Sequence, residues 1–320
     1  MKKALKIFGI LIGIVVLLIV GVAAFFNFRG VPTYEVKAPD LTVEPDSARI
    51  ARGEYLASQT CTVCHMGKDG KLSGGLMEKD EDFGTWYAGN ITQHPESSLA
   101  PYSDGELAYL LRTGLKRNGK VAPFMMHFNY LSDEDLYSII AYLRSDNRLV
   151  QPSAIVQPPN EPTLLSKIVM SMAFKPLPYS EEAISAPSED DKVAYGKYLA
   201  TAAFQCYACH SASFETNDPG NPENSVGFFA GGNPIAETPG SETIVYSANL
   251  TMHPEHGLGQ WTEEQFAQAV RFGQHPDGPG LSPRMPKYTL LTDEDVSAIW
   301  SYLQTIPVSD NNALLADSEE

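Results

Sequence analysis

The chain has 320 residues, enough for about two domains. Apolar residues make up 43% of it, sufficient for packed cores but too little for a polytopic membrane protein. A net charge of −16 excludes a nucleic-acid partner, which needs a basic footprint. The same acidic balance either keeps the protein soluble or draws it to a basic partner.

The first element is the run Ile7–Phe26, twenty residues without a charge. As a helix it is about 30 Å long, which matches the hydrocarbon thickness of a bilayer. A cleaved signal peptide is the competing reading. Its apolar region is usually shorter, roughly 7–15 residues, and ends in an A-x-A-like site. Gly21-Val22-Ala23-Ala24-Phe25-Phe26 offers only a poor one, so residues 1–30 read as an uncleaved membrane anchor. Lys2, Lys3 and Lys6 precede the run, and the positive-inside rule keeps that end in the cytoplasm and exports the rest. Residues 31–46, rich in proline and charge, read as a tether.

An amphipathic helix is predicted from Ser47, with Ile50, Gly53 and Leu56 on one face. Cys61-Thr62-Val63-Cys64-His65 follows, and the arrangement returns as Cys206-Tyr207-Ala208-Cys209-His210. C-x-x-C-H is the attachment signature of c-type haem. Each sulfur adds to one porphyrin vinyl group, and the adjacent histidine supplies a proximal imidazole to the iron. A C-x-x-C pair alone also suits a zinc half-site or a thioredoxin-like redox centre. All four cysteines lie in these two motifs, so neither has a second pair to close a zinc site. A thioredoxin motif does not explain a histidine after both pairs. The cofactors expected are two covalently bound haem c groups, held by Cys61, Cys64, Cys206 and Cys209, with His65 and His210 on iron.

The repeat extends beyond the motifs. Gly53-Glu54-Tyr55-Leu56 is matched by Gly196-Lys197-Tyr198-Leu199, and Asn90-Ile91-Thr92-Gln93-His94-Pro95-Glu96 by Asn249-Leu250-Thr251-Met252-His253-Pro254-Glu255. A glycine inside a helix costs about 1 kcal/mol against alanine, and its recurrence predicts a close helix crossing. Capping boxes at Ser103 and Thr262 open a helix in each half, and Gly114 and Gly273 stop it. Ser132 and Thr292 cap the last helices, whose first turns hold acids at the positive dipole end. Apolar stripes follow at Leu136, Ile139, Ile140 and Leu143 and at Val296, Ile299, Trp300 and Leu303. Residues 47–147 and 191–307 thus read as two domains of one fold. Residues 148–190 form a proline-rich linker with a short apolar helix from Leu164, and 308–320 an acidic, disordered tail.

The ordered series Gly-x-Tyr-Leu, C-x-x-C-H, Asn-(Ile/Leu)-Thr, Arg-x-Gly, Met, (Ser/Thr)-Asp-Glu-Asp and Tyr-Leu resembles the class I cytochrome c family. More closely it resembles the cytochrome c subunits of membrane-bound bacterial alcohol, aldehyde and sugar dehydrogenases. An anchored chain with two haems is also similar in layout to the dihaem subunit of cbb3-type oxidases. The resemblance covers about residues 47–145 and 190–307. It implies an all-α fold: two tandem class I cytochrome c domains behind one transmembrane helix, with terminal helices crossed at Gly53 and Gly196. In that family the distal methionine lies on the loop entering the last helix. Met285 stands six residues before Leu291, and the same count from Leu131 reaches Met125, with Met126 beside it. The implied iron ligands are His65 and Met125, and His210 and Met285. His94 and His253 are alternative ligands or, in the reading preferred here, parts of a structural turn. His127, His256 and His275 read as surface residues. The implied function is single-electron transfer between a dehydrogenase or quinol-oxidising complex and an oxidase or soluble cytochrome, on the periplasmic side of the inner membrane. The alternative is a dihaem peroxidase. It needs one iron open to peroxide and a distal acid–base group, which two methionine loops disfavour.

Overall fold

The computed structural model describes residues 2–311. Helix α1 (Lys2–Arg29) is long and apolar enough to cross a membrane by length and composition, and the apolar window in its span Leu5–Arg29 has no buried residue. Helix α2 (Ser47–Thr60) starts on Asp46, whose carboxylate accepts the amides of Ala48 and Arg49, and runs into the C-x-x-C-H turn α3 (Thr62–His65). Helix α4 (Asp104–Thr113) opens with the capping box of Ser103 and Glu106 and stops at Gly114, which adopts φ +72°. Helix α5 (Asp133–Leu143) is capped by Ser132. It packs across α2, burying Leu56, Leu136, Ile139, Ile140 and Tyr142. Gly53 makes that crossing possible. A Cβ there would fall inside the carbonyl of Ser138 and 2.7 Å from Tyr142 Cβ.

The second half repeats the pattern with α7 (Lys192–Tyr198), the C-x-x-C turn α8 (Cys206–Cys209), α9 (Glu263–Phe272) and α10 (Asp293–Leu303). Helices α7 and α10 pack together, and Gly196 lies against the backbone of Ala298. This copy has two more residues between its glycine and its first cysteine. They are absorbed by a wide π-helical turn at Leu199–Ala203 and by Gln205, which takes a left-handed φ of +49°.

An entirely helical fold is corrected by two small sheets. Strands β1 (Gly75–Asp80), β2 (Gly84–Ala88) and β3 (Glu161–Pro162) form one, all antiparallel. Strands β4 (Pro234–Ala236) and β5 (Ile244–Tyr246) form the other. Asp80 turns the first hairpin by accepting the amides of Asp82 and Phe83, and Trp86 is buried at its base. β-Formers such as Thr85, Trp86 and Tyr87 mark a strand too short to show a period. Helix α6 (Leu164–Met172) is the short apolar helix expected in the linker. It packs beside α1, with Lys167 Nζ 2.8 Å from Asn27 Oδ1, and its Ser166 hydroxyl donates to Phe83 O behind β2.

Segments read as loose are tied down. In residues 31–46 the Tyr34 amide donates to Gly119 O and the Val43 amide to Asp104 Oδ2. After Val150 the chain runs along the Asn90 loop, where Asn90 Nδ2 donates to Ser153 O and Ile155 O. At the other end Asn249 Nδ2 donates to Ser309 O and Asn311 O, so 308–311 is docked where disorder was expected. The rest of the acidic tail lies outside the described residues.

The two halves share one buried cluster, which runs from Leu56, Leu136 and Tyr142 to Leu199, Val296 and Leu303. Their junction has an approximate two-fold pattern. Tyr55 OH donates to Asp295 Oδ2 and Tyr198 OH to Asp135 Oδ2, each at 2.6 Å. Each acid is the third residue of its last helix, and each tyrosine comes from the other half's Gly-x-Tyr-Leu phrase. Asp135 also takes both arms of Arg52, at 2.7 and 2.8 Å, so its charge is balanced although the residue is buried.

Candidate haem sites

Both C-x-x-C-H turns are short helical turns at the end of the first helix of each half. Their four cysteines are free thiols. Burial pushes Cys61 up to about 11 and Cys206 up to about 12, and it raises Cys64 and Cys209 as well. The geometry of the two histidines is the same. His65 Nδ1 lies 2.8 Å from Gly89 O and His210 Nδ1 lies 2.8 Å from Ala248 O. A carbonyl only accepts, so Nδ1 carries the proton and Nε2 keeps its lone pair. Neither Nε2 has a hydrogen-bond partner among the described residues. Burial pushes both imidazoles down, which keeps them neutral, the form a metal needs. Two thiols, then an imidazole with a fixed tautomer and a free Nε2, fit covalent haem at both turns.

The acceptor carbonyls escaped sequence reading, although a signal was there. Gly89 and Ala248 immediately precede Asn90 and Asn249 of the repeated Asn-x-Thr phrase. In each half the asparagine Oδ1 accepts the threonine amide at 2.9 Å and hydroxyl at 2.7 Å, which locks the loop presenting the carbonyl.

The methionine loops are also held. Arg112 is buried and donates through Nη1 to Phe128 O and through Nη2 to Asp133 Oδ1. Arg271 donates through Nε to Leu291 O and pairs through Nη2 with Asp293. The Arg-x-Gly phrase therefore does more than end a helix: its arginine clamps the loop carrying Met125 or Met285 to the last helix. Met125, Met126 and Met285 are half-buried against the core, so packing alone does not choose between Met125 and Met126. Each loop also touches the opposite half. Gln205 Nε2 donates to His127 O, and the Leu290 amide donates to Gln59 Oε1.

The remaining histidines divide. His94 Nδ1 accepts the Glu96 amide, and His253 Nδ1 accepts those of Glu255 and His256, so both build their His-Pro turns. His256 and His275 are only partly exposed. His256 stacks on His253 and meets Asp310 at 3.0 Å. Asp310 also lies 3.3 Å from His253 Nε2. With Nδ1 of His253 accepting amides, its proton sits on Nε2 and points at the carboxylate, so the trio is a hydrogen-bonded clasp for the chain end. His127 is not a plain surface residue. Its Nε2 is buried without a partner among the described residues, and burial pushes its pKa down. The ring lies where Gly114 has no side chain.

A family model for cytochrome c matches residues 50–146. The cytochrome c subunit of a quinone alcohol dehydrogenase from Gluconacetobacter polyoxogenes is 28% identical over 287 residues, covering 83% of this chain and 58% of the relative. The gluconate 2-dehydrogenase cytochrome c subunit of Pantoea cypripedii is 27% identical over 83% of this chain and 62% of its own. The fructose dehydrogenase cytochrome subunit of Gluconobacter japonicus is 37% identical over 39% of this chain and 23% of its own. The chain thus spans less than two thirds of the length of these relatives. Residues 50–146 form a cytochrome c domain, of the kind that binds haem c covalently, and the chain as a whole is similar to the cytochrome c subunits of bacterial dehydrogenases.

Proposed function

We propose that the chain is a membrane-anchored dihaem cytochrome c that passes single electrons from a dehydrogenase to a terminal acceptor in the periplasm. The repeated histidine geometry carries this reading: two C-x-x-C-H turns, each with Nδ1 bound 2.8 Å from a loop carbonyl. It supports two tandem domains, about 47–147 and 191–307. One haem would be held by Cys61 and Cys64 with His65 and Met125 as ligands, the other by Cys206 and Cys209 with His210 and Met285. Bound in this way, haem takes up and releases one electron at iron. The chain supplies what makes that transfer easy. Gly89 and Ala248 hold the imidazoles by Nδ1–H and raise their basicity. Arg112 and Arg271 keep the methionine loops from shifting between oxidation states, and the shared core excludes water. The relatives' names support a dehydrogenase as donor. Lys2, Lys3 and Lys6 support export of everything after α1.

The purified protein should carry two covalent haems and titrate in two one-electron steps. Half-reduction frees one iron in many dihaem peroxidases, so peroxide turnover is measured in that state and should be negligible. Rapid, saturable peroxide consumption abolished by changing His94 or His253 would establish the peroxidase instead.

The anchor is tested separately. Haem-stained protein should remain with the membrane through high salt and carbonate. A mature chain beginning near Phe25, free in the soluble fraction, would assign α1 to a signal sequence.

A further inference from the structure

One cation stands where the two haem sites meet. Arg284, the residue before Met285, reaches out of its own half. It lines a cleft with Thr62 and Val63, which lie inside the first C-x-x-C-H turn, and with Ser58 and Gln59 just before it. Its Nη2 lies 3.9 Å from Glu78 Oε2 on β1. The side chain is 30% exposed, so water screens its charge only in part. In the first half Phe124 occupies the equivalent position and packs on Trp86, ring centroids 5.0 Å apart, so the charge belongs to the second loop alone. Lys287 lines the same cleft and is exposed.

We propose that Arg284 sets the reduction potentials of both haems together, as a fixed positive charge shared between the two sites, with Glu78 as its counterweight. The inference rests on the dihaem reading above. Reduction adds one electron to an iron and lowers the charge of its site. A nearby cation favours that product and raises the midpoint, and a nearby anion lowers it. A charge serving two sites acts on both midpoints with the same sign. A residue that only shapes the Met285 loop acts on one.

The experiment is a spectroelectrochemical titration of the full-length holoprotein, with covalent haems counted beforehand by the pyridine haemochrome spectrum. Met285→Ala assigns one midpoint to the second site. Arg284→Gln is expected to lower both midpoints, Arg284→Lys to keep both close to the parent values, and Glu78→Gln to raise both. A fall confined to the Met285 site, or no fall, overturns the inference and leaves the dihaem reading intact. Fewer than two haems in the parent protein overturns that reading and the inference with it. Should Arg284→Gln lose the methionine–iron band, Glu78→Gln decides, because it lies on β1 and outside that loop. Both midpoints must then rise, and a rise in one or neither refutes the shared charge.

Discussion

Met285→Ala is expected to remove about half of the methionine–iron charge-transfer absorbance, with Met125→Ala removing the other half. Each change should turn one iron high-spin or misligated and lower its midpoint, while the other iron keeps its spectrum. Axial ligands set potentials over a range of about 0.8 V, which makes these the largest functional effects expected of single substitutions here. The loops are clamped by Arg112 and Arg271, so neither is free to bring in a distant replacement. Met126 is the exception, as the immediate neighbour of Met125 and half-buried beside it. If Met126→Ala has the effect expected of Met125→Ala, the ligand register shifts by one. If both single changes leave the band whole, the two methionines substitute for each other.

Gly53→Ala and Gly196→Ala should each destabilise the protein, by about 1 kcal/mol net, the overpacking cost lying at the upper end of its range. Two effects favour alanine: helix propensity by about 1 kcal/mol, and lower unfolded-state entropy by about 0.4–1 kcal/mol. The crossing decides against them. At Gly53 the new methyl would meet the carbonyl of Ser138 and lie 2.7 Å from Tyr142 Cβ. At Gly196 it would meet the carbonyl of Ala298 and lie 3.0 Å from the Ile299 amide nitrogen. These neighbours are backbone or Cβ atoms, which have no rotamer to escape into. Relief requires separating whole helices and opening the core on both sides. Overpacking of this kind typically costs about 1–3 kcal/mol and occasionally more. Denaturant unfolding of the holoprotein checks it: both midpoints should fall with the slope unchanged. A gain in stability at either position would mean that the helices part there at little cost.

The legible parts of this protein are those written within one turn of chain. Ser103, Thr262, Ser132 and Thr292 cap helices because a hydroxyl reaches an amide three residues on, a relation carried by spacing alone. C-x-x-C-H is equally local, since one porphyrin edge fixes where two sulfurs and an imidazole must stand. The apolar run of α1 is legible for the same reason, being set by length and composition. Repetition extended that reach, and both glycine crossings were inferred from a phrase occurring twice.

The tertiary structure decided everything that depends on which surfaces meet. The acceptor for His65 lies 24 residues away and that for His210 lies 38 away, and no local pattern names them. Asp135 and Asp295 read as dipole acids, yet each receives a tyrosine from the other half, one of them 240 residues distant. The short strands around Trp86 were hidden because pairing, not periodicity, defines them. Arg284 reads as a loop arginine beside a methionine. Only the packing of one half's loop against the other half's C-x-x-C-H turn makes it a charge common to both sites, because Coulomb interactions follow distance in space and not along the chain.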